Sequence, residues 1–166
     1  METQGAGRID VAGVRIRGAR PDDREFILGL VPELVRFDSP PPWRDVGAMT
    51  VVDVRVISKA LEGRPPGATV LVAEDAVGQP VGFIHLSEEK DYYGGRCGHV
   101  ADLVVAPWAR GRGVGTALLA AGERWARERG YSMLTLNVFV GNVKARRLYE
   151  AEGFQPYTVR HVKQLD

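Results

Sequence analysis

The chain has 166 residues, 45% of them hydrophobic and 26% charged, with a formal net charge of +1; this supports one soluble domain with a sizeable core and gives no argument for nucleic acid or a membrane surface as partner. Its one cysteine, Cys97, excludes an internal disulfide framework and a cysteine-based zinc cluster, and it fits a reducing compartment. No apolar run approaches membrane-span length, so a cytoplasmic protein without a metal is expected.

Residues 1–13, METQGAGRIDVAG, lack the apolar centre of a signal peptide and read as a flexible lead, with one domain over residues 14–166. Val14 to Ala19 alternate and read as a first strand. The next stretch, RPDDREFILGLVPELVRF, has Pro21 and two aspartates suited to a helix start, with Phe26, Leu30 and Leu34 on one apolar face. DSPPPWRDVGA is a loop that exposes Trp43, because Pro40, Pro41 and Pro42 lack amide donors. MTVVDVRVISKALEG has the valines of a strand but the length and closing Gly63 of a helix, and is read as a helix.

Two strands follow in GATVLVAEDAVGQPVGFIHLSEE, joined through Val77-Gly78-Gln79-Pro80 as a hairpin. Cys97 to Pro107 form a third apolar strand. Val114, Ala117, Leu118, Ala121 and Trp125 then make one stripe at helical spacing, predicting a helix over 113–129 closed by Gly130. YSMLTLNVFV is a buried strand. NVKARRLYEAEG is a helix with Asn142 at its start and Gly153 past its end, and FQPYTVRHVKQL is a closing strand. The alternation predicts an α/β sheet with helices on both faces.

The junction Arg110-Gly111-Arg112-Gly113-Val114-Gly115 needs an explanation, since glycine costs backbone entropy. A dinucleotide fingerprint, G-x-G-x-x-G, fails in both registers because Thr116 or Leu118 stands where the third glycine is needed. A nucleoside-triphosphate loop fails because no Gly-Lys dipeptide exists in the chain. What remains is a plain turn, or a helix N-terminus whose amides and dipole favour an anion such as pyrophosphate.

Two blocks together resemble the GNAT superfamily of acetyl-CoA-dependent N-acetyltransferases. One is Arg110-x-x-Gly113-x-Gly115 after the apolar strand LVVAPWA. The other is Asn142 followed by Leu148-Tyr149-Glu150-Ala151-Glu152-Gly153-Phe154. The resemblance implies a single-domain fold over residues 14–166, with a mixed, mostly antiparallel sheet of six to seven strands. It implies a splay between the strands at 99–106 and 132–138, and about four helices on both faces. It implies acetyl-CoA as co-substrate, with the amides of Arg110, Gly111, Arg112, Gly113, Val114 and Gly115, and Thr116, on the coenzyme A pyrophosphate. Leu103, Val104 and Val105 would pair through their backbone with the pantetheine arm, and Asn142 would bond to it as well as capping its helix.

Tyr149, seven residues after Asn142 and so on about the same side of the helix, would be the general acid for the departing thiolate. The resemblance also places a general base six residues before Val105, at His99. Its ordinary pKa near 6.5 suits that work. On a regular strand His99, Ala101, Leu103 and Val105 share a face and Asp102 points the other way. Glu74, His85, Asp102 and a water are the rival bases, and Cys97 is read as passive. The acceptor is an amine on a small molecule or peptide. Trp43, Tyr92, Tyr93, Glu88, Glu89 and Asp91 stand on the long loops where it would bind. A homodimer is open. The readings beside this one are an acyltransferase with another acyl donor or acceptor, and a coenzyme A-binding module without turnover.

Overall fold

Alternating polar and apolar residues build the sheet from Val14 onward, and the computed structural model describes residues 9–10, 13–37 and 39–165. The elements are β1 (Ile9–Asp10), β2 (Val14–Gly18), α1 (Arg24–Phe37), α2 (Val46–Leu61), β3 (Thr69–Glu74), β4 (Pro80–Lys90), β5 (Arg96–Val105), α3 (Val114–Glu128), β6 (Leu134–Leu136) and α4 (Val143–Ala151). The six strands lie in sequence order in one sheet. The pairs from β1 to β5 are antiparallel and β5 pairs with β6 in parallel. The mixed, mostly antiparallel α/β sheet expected from the sequence is therefore present.

Each helix has a local cause. Asp45 accepts the Ala48 amide at 2.6 Å, and this cap starts α2 three residues before the Met49 expected from the sequence. Asn142 accepts the Ala145 amide at 3.1 Å and starts α4 as expected. The stripe Val114, Ala117, Leu118, Ala121 and Trp125 is buried on α3. In the β3–β4 hairpin, Asp75 Oδ1 accepts the amides of Val77 and Gln79, and Gly78 takes φ +83°.

The helices occupy both sides of the sheet. A side chain at Gly82 would meet Leu118, and one at Gly122 would meet Ile84 and Leu86, so α3 lies on the face of β4 that carries these even positions. Phe83 and His85 point to the opposite face, where α1 and α2 pack. Trp125 pins α3 to the sheet by donating its indole N–H to Thr69 at 3.2 Å.

Three expectations need correction. Ile9 and Asp10, inside the presumed lead, pair with Arg15 and Val14; residues 1–8, 11 and 12 lie outside the described residues. The strand expected over 131–140 is only Leu134–Leu136, because β5 offers it a ladder only at Gly98, His99 and Val100. Residues 154–165 form no strand, because no ladder among the described residues reaches them.

On the other side of the sheet, Glu74 is almost fully buried and receives hydrogen bonds from Arg15 and Arg17. Arg17 also donates to both carboxylate oxygens of Asp23, at 2.6 and 2.8 Å. Burial works against ionisation of Glu74, but the two guanidiniums hold its carboxyl below the ordinary range. Glu74→Gln would leave Arg17 balanced by Asp23 alone and take from Arg15 its carboxylate partner. It should cost about 3 kcal/mol in urea unfolding; an unchanged midpoint would show that the network adds nothing to stability.

Candidate functional site

The parallel ladder between β5 and β6 stops after Val100 and Leu136, and from there the strands part. This is the splay expected between them. Backbone groups of successive strand residues point to opposite edges. The Ala106 amide donates to Val81 on the β4 side at 2.9 Å, so Val104 faces β4 as well, while Leu103 and Val105 turn their polar groups into the gap. The Val104 side chain is buried, and those of Leu103 and Val105 are half-buried.

The turn after β5 is held by its arginine. Arg110 Nε donates to the Val105 carbonyl at 3.0 Å and its Nη2 to Glu33 on α1 at 3.1 Å. Gly111 and Gly113 take φ +73° and +80°, a region L-residues enter only at a cost of about 1–2 kcal/mol. Gly113 is the N-cap of α3, and no side chain caps that helix. Its first amides, from Val114, Gly115 and Thr116, therefore stand at the positive end of the helix dipole with no side-chain acceptor at the cap. The Val114 side chain belongs to the core, while Arg112 is exposed.

Helix α4 closes the same corner. A side chain at Gly115 would come within 3.3 Å of Leu148 and 3.9 Å of Val105, so these three positions converge. Thr116 Oγ1 donates to Glu152 at 2.8 Å. Asn142 is buried at the start of α4, and Tyr149 is half-buried, with its ring edge-on to Phe154 at 5.9 Å. The structure thus brings together the edge of β5, the N-terminus of α3 and the helix that bears Asn142 and Tyr149. Glu33 and Glu152 were missed in the sequence. Glu33 lies far along the chain from Arg110, and Glu152 far from Thr116, so no local signal marked either one.

His99 lies on the last rungs before the gap. Thr135, its partner on β6, donates its hydroxyl to the Gly98 carbonyl at 3.3 Å, so the contact of 2.8 Å between His99 Nδ1 and Thr135 Oγ1 has the ring nitrogen as donor. This assigns the proton to Nδ1 and leaves Nε2 as the basic nitrogen. Burial lowers the His99 pKa from its ordinary value, against opposing pulls from Glu89 and Asp102, which keeps the ring neutral at neutral pH.

The facing expected for Asp102 is overturned. The register runs Leu86 to Val100 and then His85 to Asp102, leaving Ala101 as an extra, exposed residue on β5. This β-bulge reverses the alternation, so Asp102 shares a face with His85 and His99 while Leu103 and Val105 do not. His85 Nδ1 donates to Asp102 Oδ2 at 2.8 Å. His85 Nε2 is buried without a partner among the described residues. Cys97 is buried, and burial raises its thiol pKa, so it is not an activated nucleophile. Glu74 is occupied by Arg15 and Arg17. Among the described residues, no group of His, Cys, Asp and Glu is arranged to hold a metal. No helix among them is long and apolar enough to cross a membrane.

Comparison with known proteins identifies the family. The profile of the acetyltransferase (GNAT) family matches residues 34–154. Mycothiol acetyltransferase from Stackebrandtia nassauensis is 34% identical over 147 residues, covering 89% of this chain and 46% of that protein. The chain thus spans about half the length of that relative. Thialysine N-epsilon-acetyltransferase from Bos taurus is 30% identical over 159 residues, covering 89% of this chain and 88% of that protein. A solved structure of a putative acetyl transferase from Pyrococcus furiosus superposes with a TM-score of 0.73 at 23% identity, over 92% of this chain and 99% of that one. A strand that parts from its neighbour above an uncapped glycine-rich helix start, together with a family profile spanning most of the chain, shows that this protein belongs to the GNAT family of acetyltransferases.

Proposed function

We propose that this chain transfers an acetyl group from acetyl-CoA to a primary amine of a small molecule or peptide, by direct attack within a ternary complex. The convergence of Val105, Gly115 and Leu148 carries this reading, because it sets an outward-facing strand edge against the uncapped start of α3. The residues fit the donor. Leu103 and Val105 offer backbone groups to an extended amide-bearing arm, although the Val105 carbonyl is already used by Arg110. The amides of Gly113 to Gly115 and Thr116 offer an anion site for pyrophosphate, with Arg112 adding charge nearby. Arg110 supports that site as a brace to the strand and α1. Asn142 sits at the mouth of α4, and its side chain both caps the helix and contacts the donor arm.

In the transfer, the amine nitrogen forms a bond to the thioester carbonyl carbon and the carbon–sulfur bond breaks. His99 Nε2 accepts the proton lost by the amine, and Tyr149 donates its phenolic proton to the departing thiolate. An aliphatic amine with a pKa near 10.4 is almost wholly protonated at neutral pH, so a proton acceptor is needed before attack. His99 is favoured over its rivals by its place on the last paired rungs beside the gap, whereas the unpartnered Nε2 of His85 is buried. Glu74 is locked between two guanidiniums, and His85 and Asp102 are engaged with each other.

The two relatives are named for different compounds, mycothiol and thialysine, so the acceptor here is assigned only as a primary amine. A thiol-release assay with acetyl-CoA and a panel of amines tests the activity; tight coenzyme binding with no turnover on any amine would indicate a binding module instead. Use of another acyl donor would show as faster release from a longer acyl-CoA.

Gly113→Asp keeps a residue tolerant of positive φ, but its carboxylate would cap the α3 amides and oppose the phosphates. Calorimetry should show coenzyme A binding weakened by about tenfold or more; unchanged affinity overturns the phosphate assignment. Tyr149→Phe should lower kcat by about 100-fold with little change in coenzyme affinity, whereas equal losses in both would assign Tyr149 to packing. The acid limb of kcat/KM should have its midpoint below about 6.5, because burial depresses the His99 pKa and the neutral form is the active one. His99→Gln should remove that limb, and its persistence would transfer the base role to another group.

A further inference from the structure

We infer that Glu89 is a positioning residue for acetyl transfer: its carboxylate holds the Nδ1 side of the His99 ring and balances the imidazolium that forms when Nε2 takes the proton of the amine. The inference deepens the proposed reaction and rests on His99 being its base. Glu89 Oε2 stands 3.4 Å from His99 Nδ1, and Thr135 Oγ1 lies 2.8 Å from the same nitrogen. An ionised carboxylate can only accept a hydrogen bond. Its approach therefore gives a second reason, beside the Thr135 hydroxyl, to place the ring proton on Nδ1. That proton stays on the ring during the transfer, and only Nε2 gains one.

The placement is built into the ladder. Ser87 lies opposite His99 and Glu89 opposite Cys97, so Glu89 reaches the ring along the diagonal of one sheet face. The Cys97 thiol donates to the Glu89 carbonyl at 3.6 Å, which ties that backbone to the strand carrying His99. The His99 side chain is buried, whereas that of Glu89 is 48% exposed. A buried ring that gains a charge needs a counter-charge beside it. The half-exposed carboxylate supplies one while keeping part of its own hydration.

The other groups facing the ring are committed elsewhere. Asp102 on β5 attracts a charge on His99, but its Oδ2 already accepts from His85 Nδ1 at 2.8 Å. His85 on β4 opposes a charge on His99, burial keeps the Cys97 thiol protonated, and Thr135 on β6 carries no charge. Burial is the largest influence on the His99 pKa and lowers it; Glu89 is the largest of the opposing pulls. Removing the Glu89 charge therefore lowers that pKa further. Because the neutral ring is the active form, the acid limb of the rate profile then moves to lower pH, and the weaker base gives a lower plateau.

The test uses the full chain, with nitrogen NMR of the His99 imidazole in the free protein and the pH profile of kcat/KM for an amine accepted in the thiol-release assay. Glu89→Gln should lower the His99 midpoint by roughly 0.5 unit in both measurements and reduce the plateau about fivefold. Glu89→Asp, which keeps the charge, should retain most of both, and added salt should narrow the gap between the wild type and Glu89→Gln. An unchanged NMR midpoint in Glu89→Gln overturns the pairing. A midpoint that moves in the spectrum while the acid limb stays in place overturns the role in transfer. In that case a limb that persists in His99→Gln shows that the base itself is another group, and a limb lost there confines the failure to Glu89. A lower kcat/KM with the limb unmoved would make Glu89 a contact for the acceptor instead. Absence of turnover with every amine would overturn the reaction and this role together, leaving the NMR shift as a measure of the pair alone.

Discussion

The parting of β5 from β6 is the constraint on which the rest of the molecule depends. A parallel ladder normally runs the length of both strands, because each unmade backbone hydrogen bond in a dry interior costs about 1–3 kcal/mol. Here pairing ends at Val100 and Leu136, and the stranded groups of Leu103 and Val105 face a gap instead of a neighbour. That arrangement is tolerable only if the gap admits water or a ligand with its own amides. The bulge at Ala101 lies at the point of parting, and it turns Asp102 toward His85 where regular pleating would have sent it to the opposite face. One irregularity therefore marks the start of the unpaired edge and assembles the polar cluster beside it.

The open edge needs support from elsewhere, and the supports are specific. Gly98 lies against Trp125, Ala126 and Leu134, so a side chain there would push α3 and β6 off the last paired rungs. Arg110 ties the end of β5 to α1 through the Val105 carbonyl and Glu33. A guanidinium engaged in this way contributes geometry more than net positive charge. The attraction for an anion then falls on the α3 amides and on Arg112, whose side chain reaches solvent. This division of labour places glycines next to the arginines: Gly111 and Gly113 take the positive φ of the turn while Arg110 ties it to the strand and α1.

Most of the architecture was legible because it is written in local patterns. The α3 stripe, the Asn142 cap and the hairpin turn through Val77–Pro80 each depend on residues a few positions apart, and each appeared where the pattern placed it. Apart from the early start of α2, the misreadings concern strand pairing. Nothing in the residues near Ala101 announces a bulge, since the register is set by how β4 meets β5 across the hairpin. The strand-like composition of 131–140 and 154–165 is real, but composition cannot supply a partner, and the described chain gives the first segment three rungs and the second none. The site was legible in the same measure. The glycine loop and Asn142 were found by motif, whereas the roles of Glu33, Glu152 and Asp102 depend on contacts made only in the folded chain.

The candidate base depends on one short strand. Thr135 is the middle residue of β6, and its hydroxyl orients the His99 ring by accepting from Nδ1. A strand of three residues paired on one side only is a weak platform for such a task, since marginal ladders open easily. The three rungs to β5 hold Thr135, and through it the tautomer that leaves Nε2 basic. The physical link is one hydrogen bond across the last paired rungs. It makes the stiffness of β6 a property of the site as well as of the sheet.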